Sequence, residues 1–128
     1  MSQTVDFLRK CGVFYLATED NGEPQVRPIN TVLEFGGKVY FETSSNKKMY
    51  HQMQKNPQVA ISGMADGKWI RVSGKAIFDH NEKVVDTMFE TIPSLKDVYT
   101  REEFEVYYLE NMQARVDSFT EPLVELVD

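Results

Sequence analysis

Side chains that alternate between apolar and polar recur along most of the chain, which is the period of a β-strand. The strands that this pattern predicts span residues 13–18, 25–35, 38–43, 58–64, 69–78, 104–109 and 112–119. Turns that favour positive φ separate several of them, among them Asp20-Asn21-Gly22 and Gly36-Gly37. Pro28 interrupts the second strand. Because a proline cannot donate to a strand ladder, we expect an edge, a bulge or an unpaired beginning there.

Three segments have the 3.6-residue period of a helix instead. They span residues 3–10, the stretch after Thr43 up to Asn56-Pro57, and the stretch after Asp79 up to Pro93. Ser2 or Thr4 is the expected cap of the first helix, and Gly12 ends it. Asp79 and Glu82 have the spacing of a capping box. Many strands with short links and few helices predict a mainly β (α+β) domain, a small antiparallel barrel with flanking helices.

The composition predicts one globular domain over residues 1–128. Apolar residues make up 41% and charged residues 27%, and the net charge of -6 weighs against nucleic acid as a partner. The N-terminal segment lacks a basic region followed by an apolar run, and no stretch reaches the length of a membrane span. Cys11 is the only cysteine, which excludes an internal disulfide. We therefore expect a cytoplasmic protein without a membrane partner.

Sequence motifs for several other chemistries are missing. His51 and His80 are the only histidines, and neither has a second ligand at metal-binding spacing, so no metal site is predicted. The chain has no nucleophile elbow, P-loop or Gly-x-Gly-x-x-Gly fingerprint. As a lone thiol, Cys11 is typical of a small buried hydrophobic residue rather than of a nucleophile. The catalytic residues are therefore left unassigned.

The segment Thr43-Ser44-Ser45-Asn46-Lys47-Lys48 lies where a predicted strand gives way to a helix. Its Ser and Asn side chains suit a helix cap. Lys47 and Lys48 oppose the helix dipole, so they destabilise the helix start unless an anion offsets them. A phosphate would do so by accepting hydrogen bonds from backbone N–H groups, hydroxyls and an ammonium. From the residues alone, the segment is either an anion site or an ordinary cap followed by solvated lysines.

Arg27 lies on the strand that precedes the one ending at Thr43. A hairpin between these strands would bring its guanidinium near the anion segment for a bidentate phosphate contact. Pro28, Ile29 and Asn30 would then run past the ligand with exposed backbone polar groups. An exposed strand residue is the other interpretation of Arg27.

Trp69 and Arg71 share one face of the predicted strand 69–78. An aromatic ring beside a cation suits either ligand stacking or the seam of a dimer. A partly buried anchor next to a turn is the simpler interpretation of Trp69.

These residues together resemble the pyridoxamine 5'-phosphate oxidase-like, FMN-binding split-barrel family, in particular its small bacterial members related to nitroimidazole-resistance proteins. The segments that carry the resemblance are Val13-Phe14-Tyr15-Leu16-Ala17-Thr18, Gln25-Val26-Arg27-Pro28-Ile29, Val39-Tyr40-Phe41-Glu42-Thr43 with Asn46-Lys47, Asn56-Pro57-Gln58-Val59, and Trp69-Ile70-Arg71-Val72-Ser73-Gly74. The match spans most of the chain. It implies a six-stranded antiparallel split barrel that forms a homodimer with FMN at the subunit interface.

The resemblance also implies roles for particular residues. Arg27 and the segment from Thr43 to Lys48 match the family's phosphate-binding positions, with Lys47 favoured over Lys48. Pro28, Ile29 and Asn30 match the strand along the flavin. Trp69 and Arg71 match a strand that lines the pocket and that either subunit could supply. The chain lacks the C-terminal arginine motif of true pyridoxamine phosphate oxidases, so we do not expect vitamin B6 oxidation.

The function that follows from this resemblance is an FMN-dependent oxidoreductase. It would pass electrons from a reduced nicotinamide to a small organic acceptor, and the flavin would supply the chemistry. A second hypothesis is a module that stores or senses flavin without turnover. A third keeps the barrel but replaces the ligand with haem, for which His51 is the candidate axial ligand, or with a deazaflavin.

Overall fold

The structure is a computed structural model that describes residues 2–127. Its helices are α1 (Gln3–Cys11), α2 (Lys48–Lys55), α3 (Glu82–Thr91) and α4 (Leu95–Val98). Its strands are β1 (Phe14–Asp20), β2 (Glu23–Ile29), β3 (Leu33–Phe35), β4 (Lys38–Ser44), β5 (Gln58–Ala65), β6 (Lys68–Phe78), β7 (Phe104–Asp117) and β8 (Val124–Glu125).

All the strands of the described chain belong to one antiparallel sheet. Their order is β2-β1-β5-β6-β7-β4-β3, and β8 pairs with the end of β7 near Val116. The predicted mainly β, antiparallel fold is confirmed. The sheet nevertheless has eight strands rather than the predicted six, and it is not closed, because β2 and β3 form the two ends of the order.

The predicted strand over residues 25–35 is in fact two strands. β2 ends at Ile29 and pairs with β1, whereas β3 begins at Leu33 and pairs with β4. These partners lie at opposite ends of the sheet order, so the chain must leave the sheet between Ile29 and Leu33. The crossing places Asn30 outside both strands, which matters for the site described below.

The predicted strands over 104–109 and 112–119 are one continuous strand, β7. Asn111 adopts φ 55°, and the register of β6 against β7 shifts between Ser73 and Lys75. The Glu110-Asn111 pair therefore marks a β-bulge rather than a turn.

Two helices begin as capped helices should. The Ser2 Oγ atom accepts the Val5 N–H at 3.1 Å, and α1 ends against Gly12 at φ 73°, as predicted. The cap of α3 is Asn81, whose Oδ1 atom accepts two backbone N–H groups, and not Asp79 as the capping-box spacing predicted. Asp79 instead accepts a hydrogen bond from the Tyr40 hydroxyl.

The core consists of two apolar clusters. The first packs α1 and α2 onto the sheet, and its most buried side chains include Leu8, Phe14, Phe41, Met53 and Tyr107. The second packs α3 onto β4 and β7 through Tyr40, Val84, Met88, Phe89 and Val106. Burying each large apolar side chain contributes about 1.5–3 kcal/mol relative to leaving it exposed. No helix within residues 2–127 combines the length and apolar character needed to cross a membrane.

Candidate functional site

A cavity of about 290 Å³ opens where the end of β2 meets the start of α2. The residues that line it are Arg27, Pro28, Ile29, Asn30, Glu42, Lys47, Lys48, Met49 and Tyr99. Six of these nine are candidate ligand-binding residues from the sequence. The cavity therefore brings together the predicted β2 segment and the two predicted lysines.

The start of α2 carries two cations and no side-chain cap. Lys47 is the N-cap residue, and Lys48 is the first helical residue. No side chain accepts a hydrogen bond from the first-turn N–H groups in the described structure. An anion at this position would satisfy those donors and offset the unfavourable placement of the lysines. The helix start is thus suited chemically to a phosphate.

The rest of the predicted anion segment does not line the cavity. Thr43 and Ser44 are buried, and the Ser44 Oγ atom accepts the Asn46 N–H at 3.2 Å. The Ser45 N–H donates to the Glu103 carbonyl at 2.8 Å, and the Asn46 Nδ2 atom donates to the Glu103 carboxylate at 3.3 Å. These polar groups shape the turn that presents the lysines. Their predicted contact with a phosphate remains a prediction.

Arg27 lines the cavity as predicted, but the elements that hold it there differ from the predicted ones. No hairpin joins β2 to β4; β2 pairs with β1. The guanidinium is instead held by α2 and β1, since its Nη2 atom donates to Gln52 Oε1 at 3.0 Å and its Nη1 atom to Thr18 Oγ1 at 2.7 Å. The Thr18 hydroxyl in turn donates to Gln52 Oε1 at 2.8 Å. Partial burial lowers the Arg27 pKa, and the electrostatic effect of the neighbouring Tyr107 phenol opposes that change.

β2 is an edge strand, so the polar groups along its outer side face no other strand of the described chain. Pro28 contributes a carbonyl and no donor. Asn30 follows the strand and is exposed at the mouth of the cavity. The segment from Pro28 to Asn30 therefore offers backbone donors and acceptors to a ligand.

Glu42 is a site residue that the sequence did not reveal. Its Oε2 atom is buried and has no hydrogen-bond partner in the described part of the chain. Burial raises the pKa of Glu42 to about 7, against a smaller opposing effect of the Lys47 charge. The strand pattern around Glu42 alternates like that of any half-exposed strand, so nothing in the local sequence indicates this burial.

Tyr99 and Met49 are the other two lining residues that the sequence did not indicate. The Lys47 Nζ atom donates to the Tyr99 Oη atom at 2.6 Å and lies 5.0 Å from the centre of the Tyr99 ring. Tyr99 therefore orients this ammonium at the edge of the cavity. Met49 is a buried residue of α2 that also lines the cavity.

Trp69 and Arg71 lie away from this cavity within one chain. Trp69 packs against Phe119, with ring centres 4.9 Å apart. Arg71 lines a separate cavity of about 330 Å³ on the outer face of the sheet, together with Tyr15, Val26, Arg115 and Glu125. The structure therefore does not bring Trp69 and Arg71 to the predicted phosphate-binding residues of the same chain.

The two histidines stand apart from each other. His51 is exposed on α2 and contacts the edge of Tyr50, whereas His80 Nδ1 lies 3.2 Å from Glu105 Oε1. Within residues 2–127 no group of three or more His, Cys, Asp or Glu side chains is arranged to hold a metal ion.

The protein thus has an antiparallel sheet with flanking helices and a cavity lined by three cations at the start of α2. The family model described as pyridoxamine 5'-phosphate oxidase matches residues 1–112, so the chain belongs to that family. A comparison with curated protein sequences finds no match.

Three solved structures illustrate the range of proteins that share this fold. A NimC/NimA family protein from Clostridium acetobutylicum is 37% identical, with a TM-score of 0.92 over 97% of this chain and 89% of that one. An FAD-binding protein from Mesorhizobium loti is 18% identical, with a TM-score of 0.66 over 92% and 96% of the two chains. The haem storage protein HutZ from Vibrio cholerae is 17% identical, with a TM-score of 0.68 over 97% and 92%. The fold thus occurs in flavin-binding and in haem-binding proteins.

Proposed function

We propose that the protein binds FMN in the cavity between β2 and α2 and acts as an oxidoreductase that passes electrons from a reduced nicotinamide to a small organic acceptor. The observation that carries the proposal is the convergence of Arg27, Lys47 and Lys48 on one cavity in a chain of net charge -6. Cations collected against the overall charge of a protein indicate an anionic ligand.

The residues present fit FMN in two respects. Arg27, Lys47 and Lys48, with the N–H groups of the first turn of α2, would hold the phosphate. The backbone from Pro28 to Asn30 would bind the polar edge of the isoalloxazine ring. Bound FMN would supply the hydride and electron transfer chemistry. The chain itself supplies binding and orientation.

A homodimer completes this proposal. The cavity of about 290 Å³ lies just below the ~300–1,000 Å³ typical of small-molecule sites, so a second surface is needed to cover the ligand. The outer sheet face around Arg71 exposes apolar side chains, with Tyr15, Val26 and Met64 at 51%, 69% and 65% of their full exposure. We propose that two such faces pair and that Trp69 and Arg71 of one subunit approach the FMN held by its partner. The lone Cys11 fits the reducing cytoplasm as the compartment of this dimer.

The first experiment is the visible spectrum of the freshly purified protein, followed by titration with FMN. Bound flavin absorbs near ~450 nm, whereas haem gives a Soret band, and each is a property of the cofactor. Bleaching of the flavin by NADH or NADPH without oxygen supports the oxidoreductase. Flavin that neither cofactor reduces supports the storage or sensing module, and a Soret band or a deazaflavin spectrum replaces FMN as the ligand.

Lysine variants test the site itself. Lys47→Ala and Lys48→Ala should each weaken FMN binding about tenfold, since each removes a charge-assisted contact worth roughly 1.5 kcal/mol. Lys55→Ala is the matched control, because Lys55 is exposed in the last turn of the same helix and does not line the cavity. Arg27→Ala is less informative, since it also removes the hydrogen bonds that join β2 to α2 and to β1. Equal FMN affinities for all three lysine variants would contradict the assignment.

A further inference from the structure

Glu42 places a carboxyl group in a cavity that is otherwise lined by cations and neutral groups. In the described structure Glu42 forms no ion pair with Arg27, Lys47 or Lys48. The Arg27 guanidinium donates instead to Thr18 and Gln52, and the Lys47 ammonium donates to Tyr99. The Oε2 atom of Glu42 is buried without a partner. A buried polar atom without a partner destabilises the ligand-free protein, so the presence of this carboxyl group in the cavity calls for a physical reason.

Charged and titratable groups from several elements line the cavity with Glu42 or interact with it electrostatically. Arg27 lies on β2, Lys47 and Lys48 at the start of α2, Tyr99 after α4, and Tyr107 on β7. Burial, and then the charge of Glu42, raise the pKa of Tyr107, so its phenol stays neutral. Burial, opposed by the smaller effect of the Lys47 charge, raises the pKa of Glu42 to about 7.

A phosphate dianion bound beside the lysines would add negative charge next to this carboxyl group. Like charges a few ångströms apart disfavour the ionised acid. The neutral acid, in contrast, carries an O–H group that can donate to an oxygen of the ligand, which gives the buried end of the side chain its missing partner. Both effects favour the same protonation state of Glu42 in the complex.

We propose that Glu42 takes up one proton when a phosphate-bearing ligand binds in this cavity, and that it enters the complex as a neutral acid that contacts the ligand. The inference rests on the proposed function, which places the phosphate of FMN there. It makes Glu42 a ligand-binding residue that discriminates between ligands by their charge. The free energy of binding then depends on pH with a definite sign.

The direction of this pH dependence follows from the protonation state of Glu42 in the ligand-free protein. Well below its raised pKa, Glu42 is already protonated in the free protein, and binding requires no further proton. Above pH 7 the free protein must first capture a proton, so affinity for FMN should fall about tenfold for each pH unit until the carboxyl group of the complex also ionises. Riboflavin, which lacks the phosphate, should show a much weaker pH dependence.

The experiment is calorimetric titration of FMN into the full chain at pH 8, in two buffers with different ionisation enthalpies. The wild type should take up close to one proton per FMN more than Glu42→Gln, whose amide does not titrate. Glu110→Gln is the matched control, since Glu110 is exposed on β7 and outside the cavity, and it should behave like the wild type. Equal proton uptake by the wild type and Glu42→Gln would overturn the inference.

A second measurement does not depend on the variant. The Kd of the wild type for FMN should rise about tenfold between pH 7.5 and 8.5, and the Kd for riboflavin should change less than threefold. FMN binding with a Kd that is constant over this range would overturn the inference about Glu42. The same result would leave the proposed function standing, because FMN would still bind. If FMN does not bind to the wild type at any pH, the proposed function fails and the inference fails with it.

Discussion

Replacing Glu42 with Gln should stabilise the ligand-free protein at alkaline pH. Burial raises the pKa of Glu42 from 4.5 to about 7. Between pH 4.5 and 7 the folded protein keeps the Glu42 proton, whereas the unfolded chain has released it. The contribution of Glu42 to the unfolding free energy is therefore fully present below pH 4.5 and is lost as the pH rises through 7. At about 1.4 kcal/mol for each pH unit, the total loss is about 3 kcal/mol, of which about 2 kcal/mol falls between pH 5.5 and 8.5.

Urea unfolding of the wild type and of Glu42→Gln between pH 5.5 and 8.5 measures this effect. The difference in unfolding free energy should change by about 2 kcal/mol in favour of the variant over that interval. Glu110→Gln should keep a constant difference from the wild type, because its carboxyl group is exposed. If the wild type and Glu42→Gln lose stability in parallel, the carboxyl group is not desolvated and the reasoning about the cavity is refuted.

Two further substitutions test a close approach in the core and a contact at the cavity. Gly63→Ala should lower the unfolding free energy by about 1–3 kcal/mol in urea unfolding, because a Cβ atom there would lie 2.9 Å from the Cβ atom of Phe14 in the core; an unchanged midpoint would contradict this packing. Tyr99→Phe keeps the ring but removes the hydroxyl that holds Lys47, so FMN affinity should fall about fivefold with little change in stability, as fluorescence titration and urea unfolding would report. Unchanged FMN affinity would show that Tyr99 does not orient the ammonium.

The sequence predicted the fold where local patterns decide it. Ser2 and Gly12 bound α1 as expected, because a cap and a left-handed stop act within one turn of the chain. The break between β2 and β3 was missed because it depends on which strands these segments pair with at the two ends of the sheet. The bulge at Asn111 was mistaken for a turn, since both tolerate positive φ.

In the candidate site, too, the sequence revealed what local patterns decide and missed what long-range packing decides. Lys47 and Lys48 were found because a cation at a helix start contradicts the local rule for helix dipoles. Arg27 was placed near them for a wrong reason, since α2 and β1 hold it and β4 does not. Glu42 and Tyr99 were missed because their roles depend on packing between segments far apart in sequence. A charged residue on a strand gives no local sign that other elements bury it.

The structure contains two local penalties that a single ligand would remove. Lys47 and Lys48 oppose the dipole of α2, and the Oε2 atom of Glu42 is buried without a partner in the described part of the chain. In the absence of an anion both features destabilise the protein, one through excess positive charge and the other through desolvation. The Lys47 charge offsets only the smaller part of the effect of burial on Glu42, and Tyr99 holds the Lys47 ammonium. A phosphate offsets the positive charge of the lysines and accepts a hydrogen bond from the protonated Glu42. Its binding therefore removes both sources of destabilisation. That coupling is why Glu42→Gln should raise the stability of the free protein at pH 8 while removing the pH dependence of FMN affinity.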